Sequence, residues 1–144
     1  MPSFELHPVF TTDFIALGKL RLSRVFLNND SRYPWLTLIP ERVGVEEILE
    51  LEEADRAELM REIVAASGVI KELYGPDKLN VGALGNHVRQ LHVHVIGRFA
   101  SDPAWPGPTW GHSPAVPYQA HVAGMTADRF IKALKPFGLG EIGA

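Results

Sequence analysis

A long amphipathic pattern occupies the middle of the 144-residue sequence. Between positions 52 and 74, apolar residues recur at spacings of three and four, with Arg, Glu and Lys between them. They are Leu59, Ile63, Ala66, Ile70 and Leu73. This spacing predicts one helix with an apolar face, and Gly75 and Pro76 predict its end. The segments on either side of this helix have a different period, which is typical of strands.

Two extended patterns precede the helix. Residues 20–27 alternate apolar with polar side chains and then become apolar, as a strand entering a core does. The turn formers at 28–31 and the breaker Pro34 follow, and residues 35–39 resume a β pattern. We therefore predict an antiparallel hairpin in this part of the chain.

Two more extended patterns follow the helix, and then the composition changes. Residues 79–84 and 90–96 favour strands, which a loop at 85–89 joins. Prolines and glycines are frequent between positions 103 and 117, so regular structure is disfavoured there. A short helix is predicted to begin after Thr126, a good N-cap residue, and to stop near Pro136.

Composition narrows the classes of protein that remain. The length suits one domain over residues 1–144, whose hydrophobic core can be stable without metal ions or disulfide bonds. The absence of cysteine excludes a disulfide framework, a thiolate zinc site and a cysteine nucleophile. A formal net charge of -3 argues against broad contact with a nucleic acid backbone. Without a membrane-spanning run or a secretory signal pattern, we expect a soluble cytoplasmic protein, with neither nucleic acid nor membrane as a partner.

Two histidines stand two positions apart in the apolar segment 90–96, which reads QLHVHVI. Alternate side chains of a strand share a face, so Gln90, His92 and His94 are expected to point the same way. A buried polar group without a partner costs about 1–3 kcal/mol. A row of three polar side chains therefore favours a ligand or a network that satisfies them, and we interpret the two histidines as functional.

Metal binding is one chemistry open to this pair. Two imidazoles can hold one ion, but a catalytic zinc usually takes three protein ligands. The residues that could supply a third ligand are His87, His112, His121 and Asp102. None of them has a spacing typical of a ligand. A metal-dependent hydrolase that uses His92 and His94 stays open as an alternative.

Nucleophilic catalysis is the other chemistry. A neutral imidazole, with an ordinary pKa of about 6.5, can attack phosphorus directly. Such a site needs donors around the phosphate and an acid for the leaving group. Gln90 can donate from its amide, and Arg89 or Arg98 can add positive charge. His94 can act as the acid, so this segment offers each of these roles.

The histidine segment resembles the signature of the histidine triad (HIT) family of nucleotide hydrolases and transferases. That signature is His-x-His-x-His followed by two apolar residues, and this chain has QLHVHVIGR in the same place. The apolar strand pattern at 35–40, the long helix and the start of the following strand match the family as well. The resemblance covers roughly residues 17–111, and the end of the Pro-rich loop and a C-terminal helix lie in 112–144.

The resemblance implies an α+β fold, with an antiparallel sheet of about five strands, one long helix and one short helix. It also implies a homodimer whose two sheets join. The implied activity is hydrolysis or nucleotidyl transfer at the α-phosphate of a purine nucleotide, with no cofactor required, although a divalent metal is possible. The implied substrates are dinucleoside polyphosphates, such as diadenosine tetraphosphate, or nucleoside phosphoramidates. By position, His92 would attack through Nε2 and form a nucleotidyl-histidine, and His94 would contact the phosphate.

One departure from the signature is that the first histidine is Gln90 here. Glutamine can donate and accept hydrogen bonds, but it cannot move a proton near neutral pH. We therefore expect Gln90 to keep contacts of the first histidine and to lose any acid or base role. A nucleotide-binding protein that has lost catalysis is a further alternative.

Substrate-binding candidates lie on both sides of the long helix. They are Asn28, Asp30, Asn80, Asn86, Arg89 and Arg98. By resemblance, the region at 28–35 holds the nucleoside, and an amide before the motif binds phosphate or sugar. Asn and Asp also form turns, which explains Asn28 and Asp30 about as well. Trp35 and Phe26 are expected to fill the core.

Overall fold

Five strands form one antiparallel sheet in the computed structural model, which describes residues 2–142. The strands are β1 (Phe14–Lys19), β2 (Ser23–Asn28), β3 (Trp35–Pro40), β4 (Lys78–Gly82) and β5 (Val93–Arg98). Their order across the sheet is β1-β2-β3-β5-β4. The predicted α+β fold with an antiparallel sheet of five strands is confirmed.

Three helices accompany the sheet. They are α1 (Val9–Thr12), α2 (Glu53–Tyr74) and α3 (Ala120–Leu134), with short 3-10 turns at Ile48–Glu50 and Lys135–Phe137. The amphipathic pattern located α2 to within one residue at its start. The helix ends where Gly75 takes the left-handed conformation with φ 59°, as its sequence predicted.

The two faces of the sheet have different contents. Alternate residues of the central strands pack with α2 and α3 in the main core, and these are Val25, Leu27, Leu36, Leu38, Val93 and Val95. The opposite face carries Phe26, Trp35 and Ile96 in two smaller clusters. His94 alternates with Val93 and Val95, so its ring lies on this second face. The long helix thus supports the histidine strand from behind.

The first strand, β1, was missed by the sequence patterns. It contains Ala16 and Gly18, which are poor strand formers, and the register shifts between them. Gly18 has φ 149°, and a Cβ there would collide with the carbonyl of Gly140. The prediction for residues 20–27 was also displaced, because β2 begins at Ser23.

Two further boundaries were wrong. The strand predicted at 90–96 begins only at Val93, because the N–H of Leu91 is bonded to the carbonyl of Val45 outside the sheet. The C-terminal helix begins at Ala120, so it is longer than expected, and Thr126 is buried inside it rather than capping it. Gly124 weakened the helical signal in its first half. The described stretch 99–119 contains no helix or strand, as its prolines predicted.

No helix within residues 2–142 combines the length and the apolar character that crossing a membrane requires.

Candidate active site

His92 is held in one tautomer by the backbone just before it. Its Nδ1 lies 2.7 Å from the carbonyl oxygen of Gln90. A carbonyl oxygen only accepts, so Nδ1 carries the hydrogen and Nε2 of the neutral ring has a free lone pair. Burial lowers the pKa of His92, although its bond to Gln90 opposes this shift. The ring is therefore uncharged at neutral pH, and Nε2 is its nucleophilic atom.

His94 is held in the opposite tautomer by Trp35. The indole Nε1 of Trp35 lies 2.8 Å from Nδ1 of His94, and an indole N–H only donates. Nδ1 is therefore the acceptor, and Nε2 carries the hydrogen. Burial, with a smaller effect of His92, lowers the pKa of His94 to about 3. His94 is thus a neutral hydrogen-bond donor at physiological pH rather than a cation.

The two histidine rings are neighbours, as the sequence predicted. Their centroids lie 5.0 Å apart with the planes at 86°. His92 is 6% exposed and His94 is 5% exposed. The hydroxyl of Thr37 lies 3.2 Å from Nδ1 of His94 and donates to Oδ1 of Asn28. A short polar network therefore links His94 to the end of β2.

A cleft of about 530 Å³ opens beside this network. Its lining residues come from five parts of the chain: Asp13, Phe14, Asn28, Asn29, Asp30, Trp35, Leu84, Asn86, His87, Thr109, Trp110, Gly111, Ser113 and Ala115. Neither His92 nor His94 belongs to the lining, but Trp35 and Trp110 do, and their rings lie 5.4 and 5.5 Å from the ring of His94. His94 therefore lies just behind the aromatic wall of the cleft, with the ring of His92 next to it.

Three of the predicted binding residues line this cleft: Asn28, Asp30 and Asn86. Asn28 is buried at the end of β2, and Asn86 is exposed in the loop before the histidine segment. Asp30 accepts from Arg32 through both carboxylate oxygens, each at 2.9 Å. Arg32 also reaches Ser113 and the carbonyl of Pro114, so it fixes the cleft wall rather than lying free in solvent.

Arg98 is not placed for binding a phosphate. Its guanidinium is 2% exposed and pairs with both carboxylate oxygens of Asp102, at 2.8 and 3.0 Å. Its remaining bonds go to Asn80 and to the carbonyl of Gly107, each at 2.8 Å. We therefore reassign Arg98 and Asn80 from substrate binding to holding the Pro-rich loop against the sheet.

Arg89 and the side chain of Gln90 also lie outside the cleft lining. Arg89 is exposed and pairs with Glu46 at 3.2 Å. The Gln90 amide is bonded to the backbone of Glu5 and His7, so it points toward the N-terminal segment instead of the cleft. The expectation that Gln90 shares a strand face with the histidines is corrected, because the strand begins three residues later.

The sequence predicted the aromatic wall only in part. Trp35 was expected in the core and does pack in a buried cluster with Tyr33 and Ile96, but its second role, in the cleft wall and as the donor to His94, was not predicted. Trp110 stands over Gly82, where a Cβ would come within 3.1 Å of the indole. Phe10 was not singled out, although its ring lies 5.1 Å from that of His92. The signal for such packing in the sequence is the run WPGPTWG at 105–111, where two tryptophans stand among prolines and glycines.

Within residues 2–142, no group of three His, Asp or Glu side chains is disposed to hold a metal ion. Asp102, considered as a third ligand, is engaged by Arg98. His87 lines the cleft, but His112 and His121 do not.

Comparisons with known proteins identify the family of this chain. A family model described as "HIT domain" matches residues 11–101. Among curated proteins, none matches significantly. The structure is similar to that of a histidine triad (HIT) protein from Sinorhizobium meliloti 1021, with 43% identity, a TM-score of 0.88, and 91% of this chain and 97% of that chain covered.

Two further solved structures are similar over nearly their whole length. A histidine triad protein from Marinobacter aquaeolei VT8 has 42% identity and a TM-score of 0.92, with 95% of this chain and 100% of that chain covered. One from Bradyrhizobium japonicum has 43% identity and a TM-score of 0.85, with 94% and 98% covered. The chain therefore belongs to the HIT domain family, a family of nucleotide-binding hydrolases and transferases.

Proposed function

We propose that this protein is a nucleotide hydrolase or nucleotidyl transferase that acts through His92. Nε2 of His92 attacks the α-phosphorus of a nucleotide conjugate and expels its leaving group. Water then cleaves the nucleotidyl-histidine and releases a nucleoside monophosphate. The proposed substrates are dinucleoside polyphosphates or nucleoside phosphoramidates of a purine. No cofactor is required in this mechanism.

The bond between His92 and the carbonyl of Gln90 is the observation that carries the proposal. It places the hydrogen on Nδ1 at 2.7 Å from an acceptor and leaves Nε2 unprotonated. As Nε2 bonds to phosphorus the ring becomes cationic, and the carbonyl dipole at Nδ1 stabilises that charge. A histidine that served only to fill the core would gain nothing from a free lone pair.

His94 and the cleft residues have supporting roles in this proposal. Nε2–H of His94 can donate to a phosphate oxygen or to the leaving group, because Trp35 occupies Nδ1. Asn28 and Asp30, at the cleft wall, are the proposed partners of the ribose hydroxyls. Asn86, also in the cleft lining, is the proposed amide donor to the phosphate or sugar. Trp35 and Trp110 form an apolar wall against which a base can stack.

The charge of the cleft favours a leaving group that carries little negative charge. Its described lining includes the carboxylates of Asp13 and Asp30 and neither Lys nor Arg. Arg32 compensates Asp30, whereas Asp13 is exposed. A chain of extra phosphates would meet no cation in this lining, whereas an amine would be accommodated. Among the proposed substrates, we therefore favour the phosphoramidates.

Trapping the covalent intermediate is the direct test. The protein is mixed with adenosine phosphoramidate or diadenosine tetraphosphate, quenched in acetonitrile within milliseconds, and digested for mass spectrometry. We expect an adenosine monophosphate adduct on His92 and on no other histidine. Turnover without an adduct on His92 would overturn the mechanism. Binding of adenosine monophosphate without turnover of either substrate would instead identify a nucleotide-binding protein.

We also propose a homodimer that forms along β4. This strand lies at the edge of the sheet, and Val81 on it is 49% exposed. The opposite edge, β1, is partly covered by a bridge between Lys19 and Gly140. An uncovered edge strand readily pairs with a second copy. Sedimentation equilibrium should give the mass of a dimer for the wild type and that of a monomer for Val81→Pro.

A further inference from the structure

The side-chain amide of Gln90 pairs with the backbone of the N-terminal segment. Its Oε1 accepts the N–H of His7 at 2.9 Å, and its Nε2 donates to the carbonyl of Glu5 at 2.9 Å. The two bonded groups flank Leu6, so the amide binds this segment as a neighbouring strand would. Residues 5–12 are named the N-terminal strap here.

Beyond His7 the strap turns onto the ring of His92. The N–H of Phe10 donates to the carbonyl of His7 at 3.0 Å and begins α1. Phe10 is 1% exposed, and its ring meets that of His92 at a centroid distance of 5.1 Å and an angle of 67°. Asp13 and Phe14 follow directly and line the cleft. The strap therefore packs against the ring of His92 and leads directly into the lining of the cleft.

Two groups of Gln90 thus act around the same imidazole. Its carbonyl accepts from Nδ1 of His92 and selects the tautomer. Its side-chain amide holds the strap that carries Phe10. The second task needs one donor and one acceptor and no proton transfer, which is what a glutamine offers.

We propose that Gln90 is a positioning residue whose amide holds the strap, and that the strap presses Phe10 against His92 so that Nε2 keeps one orientation. This proposal rests on the proposed function of His92 as the nucleophile. Catalysis by a positioned group is sensitive to small displacements, because an error of about 1 Å can cost about 100-fold in rate. The amide therefore acts on the reaction through the strap, without touching the substrate.

Gln90→Ala and Gln119→Ala make a matched pair for the test. Gln119 is an exposed glutamine before α3 whose side chain makes no capping bond. In Gln90→Ala, we expect backbone amides of the strap to exchange at least about tenfold faster. We expect kcat to fall at least about tenfold, with KM within about twofold of the wild type. Gln119→Ala should match the wild type in all these measurements.

The imidazole of His92 supplies a signal that is independent of turnover. Nitrogen NMR distinguishes its two tautomers and follows its titration. In Gln90→Ala, a looser strap exposes the ring, so its pKa should rise toward the ordinary histidine value. The rings of His94 and His7 lie near those of His92 and Phe10, so the signal of each histidine must be assigned separately.

Two more variants separate the strap from the ring. Gln90→Glu keeps an acceptor for His7 and loses the donor for Glu5, so its strap should exchange at a rate between those of the wild type and Gln90→Ala. Phe10→Leu keeps both bonds of the amide and removes the aromatic contact. It should change the His92 titration and kcat without faster exchange at Glu5 and His7.

The proposal is overturned if Gln90→Ala leaves strap exchange unchanged. It is also overturned if the strap loosens, or kcat falls, while the tautomer and titration of His92 stay as in the wild type. Failure of the proposed function gives a different result, namely no turnover by the wild-type protein. In that case the exchange and NMR measurements still decide whether Gln90 positions His92.

Discussion

Trp35 donates its indole N–H to Nδ1 of His94 across the pair of strands β3 and β5. This one bond decides which nitrogen of a deeply buried imidazole carries the hydrogen. It also explains why a tryptophan lies in the wall of the cleft, where an aliphatic residue would fill the space as well. The bond leads directly to a prediction about the Trp35 side chain.

Trp35→Phe should release the tautomer of His94 while the fold is retained. The substitution removes the donor and keeps an aromatic ring, so we expect a loss of about 1 kcal/mol in the free energy of unfolding. Nitrogen NMR should show a mixture of both His94 tautomers, and kcat should fall about tenfold. A pure Nε2–H tautomer in this variant would contradict the assigned role of Trp35.

Acid should destabilise the protein through His94. Its pKa is lowered to about 3 in the folded state, whereas an unfolded histidine titrates near 6.5. As the pH falls between these values, the unfolded chain takes up a proton first. The free energy of unfolding should therefore be insensitive to His94 above about pH 6.5 and fall below it, by up to about 1.4 kcal/mol per pH unit.

His94→Asn isolates this contribution. The amide oxygen of asparagine can accept from Trp35 but does not titrate, and all other groups are shared with the wild type. The free energy of unfolding of both proteins is measured by urea titration from pH 7 to pH 4. The wild-type value minus the His94→Asn value should decrease as the pH falls below about 6.5. If the two free energies change in parallel with pH, the pKa of His94 is not lowered in the folded protein.

His92→Ala should lower turnover at least about 1,000-fold, because the nucleophile itself is removed. The control is His121→Ala, which removes an exposed histidine of α3 that lies outside the cleft lining. Steady-state hydrolysis of adenosine phosphoramidate measures the effect, and circular dichroism checks the fold. Wild-type turnover in His92→Ala would eliminate the proposed nucleophile, and a loss shared with His121→Ala would point to general damage.

The leaving group should matter in a defined direction. We expect kcat/KM for adenosine phosphoramidate to exceed that for diadenosine tetraphosphate at least about tenfold, because the added phosphates meet Asp13 without a compensating cation. Asp13→Asn should narrow the gap by improving the tetraphosphate, and added salt should act in the same direction. A preference for the tetraphosphate at low salt would refute this view of the cleft.

Glu62 provides a prediction about stability. This carboxylate lies 3% exposed on α2 and accepts the N–H groups of Leu22 and Ser23, at 2.7 and 3.1 Å. Burial raises its pKa, although these bonds oppose the shift. Glu62→Ala would leave two buried donors unpaired, so we expect a loss of about 2–4 kcal/mol in unfolding free energy. The exposed Glu72→Ala on the same helix should stay within about 0.5 kcal/mol of the wild type.

The elements that the sequence predicted well are those defined by a local period. The spacing of apolar residues located α2, and the alternation of side chains placed His92 and His94 side by side. β1 escaped prediction because Ala16 and Gly18 form strands only where a neighbour and a bulge require it. Tertiary contacts, rather than propensity, decide such a strand.

The surroundings of the histidines could not be read from local patterns. Gln90 was predicted to face the phosphate, but its partner Glu5 lies 85 residues away in the chain. Trp35 lies 59 residues from His94, and no spacing rule connects the two. Arg98 looked available for an anion until its burial against Asp102 was known. Contacts of this kind depend on how loops return to the sheet.

The buried pair of Arg98 and Asp102 ties the Pro-rich loop to the strand of the histidines. Arg98 is the last residue of β5 and also donates to the carbonyl of Gly107, so the segment that leads to Trp110 is anchored at the end of this strand. Engineering of substrate preference by loop exchange must therefore transplant the arginine and its acidic partner together. A grafted loop that lacks Asp102 would leave the charged guanidinium of Arg98 buried without its partner. The aromatic wall would then lose its shape.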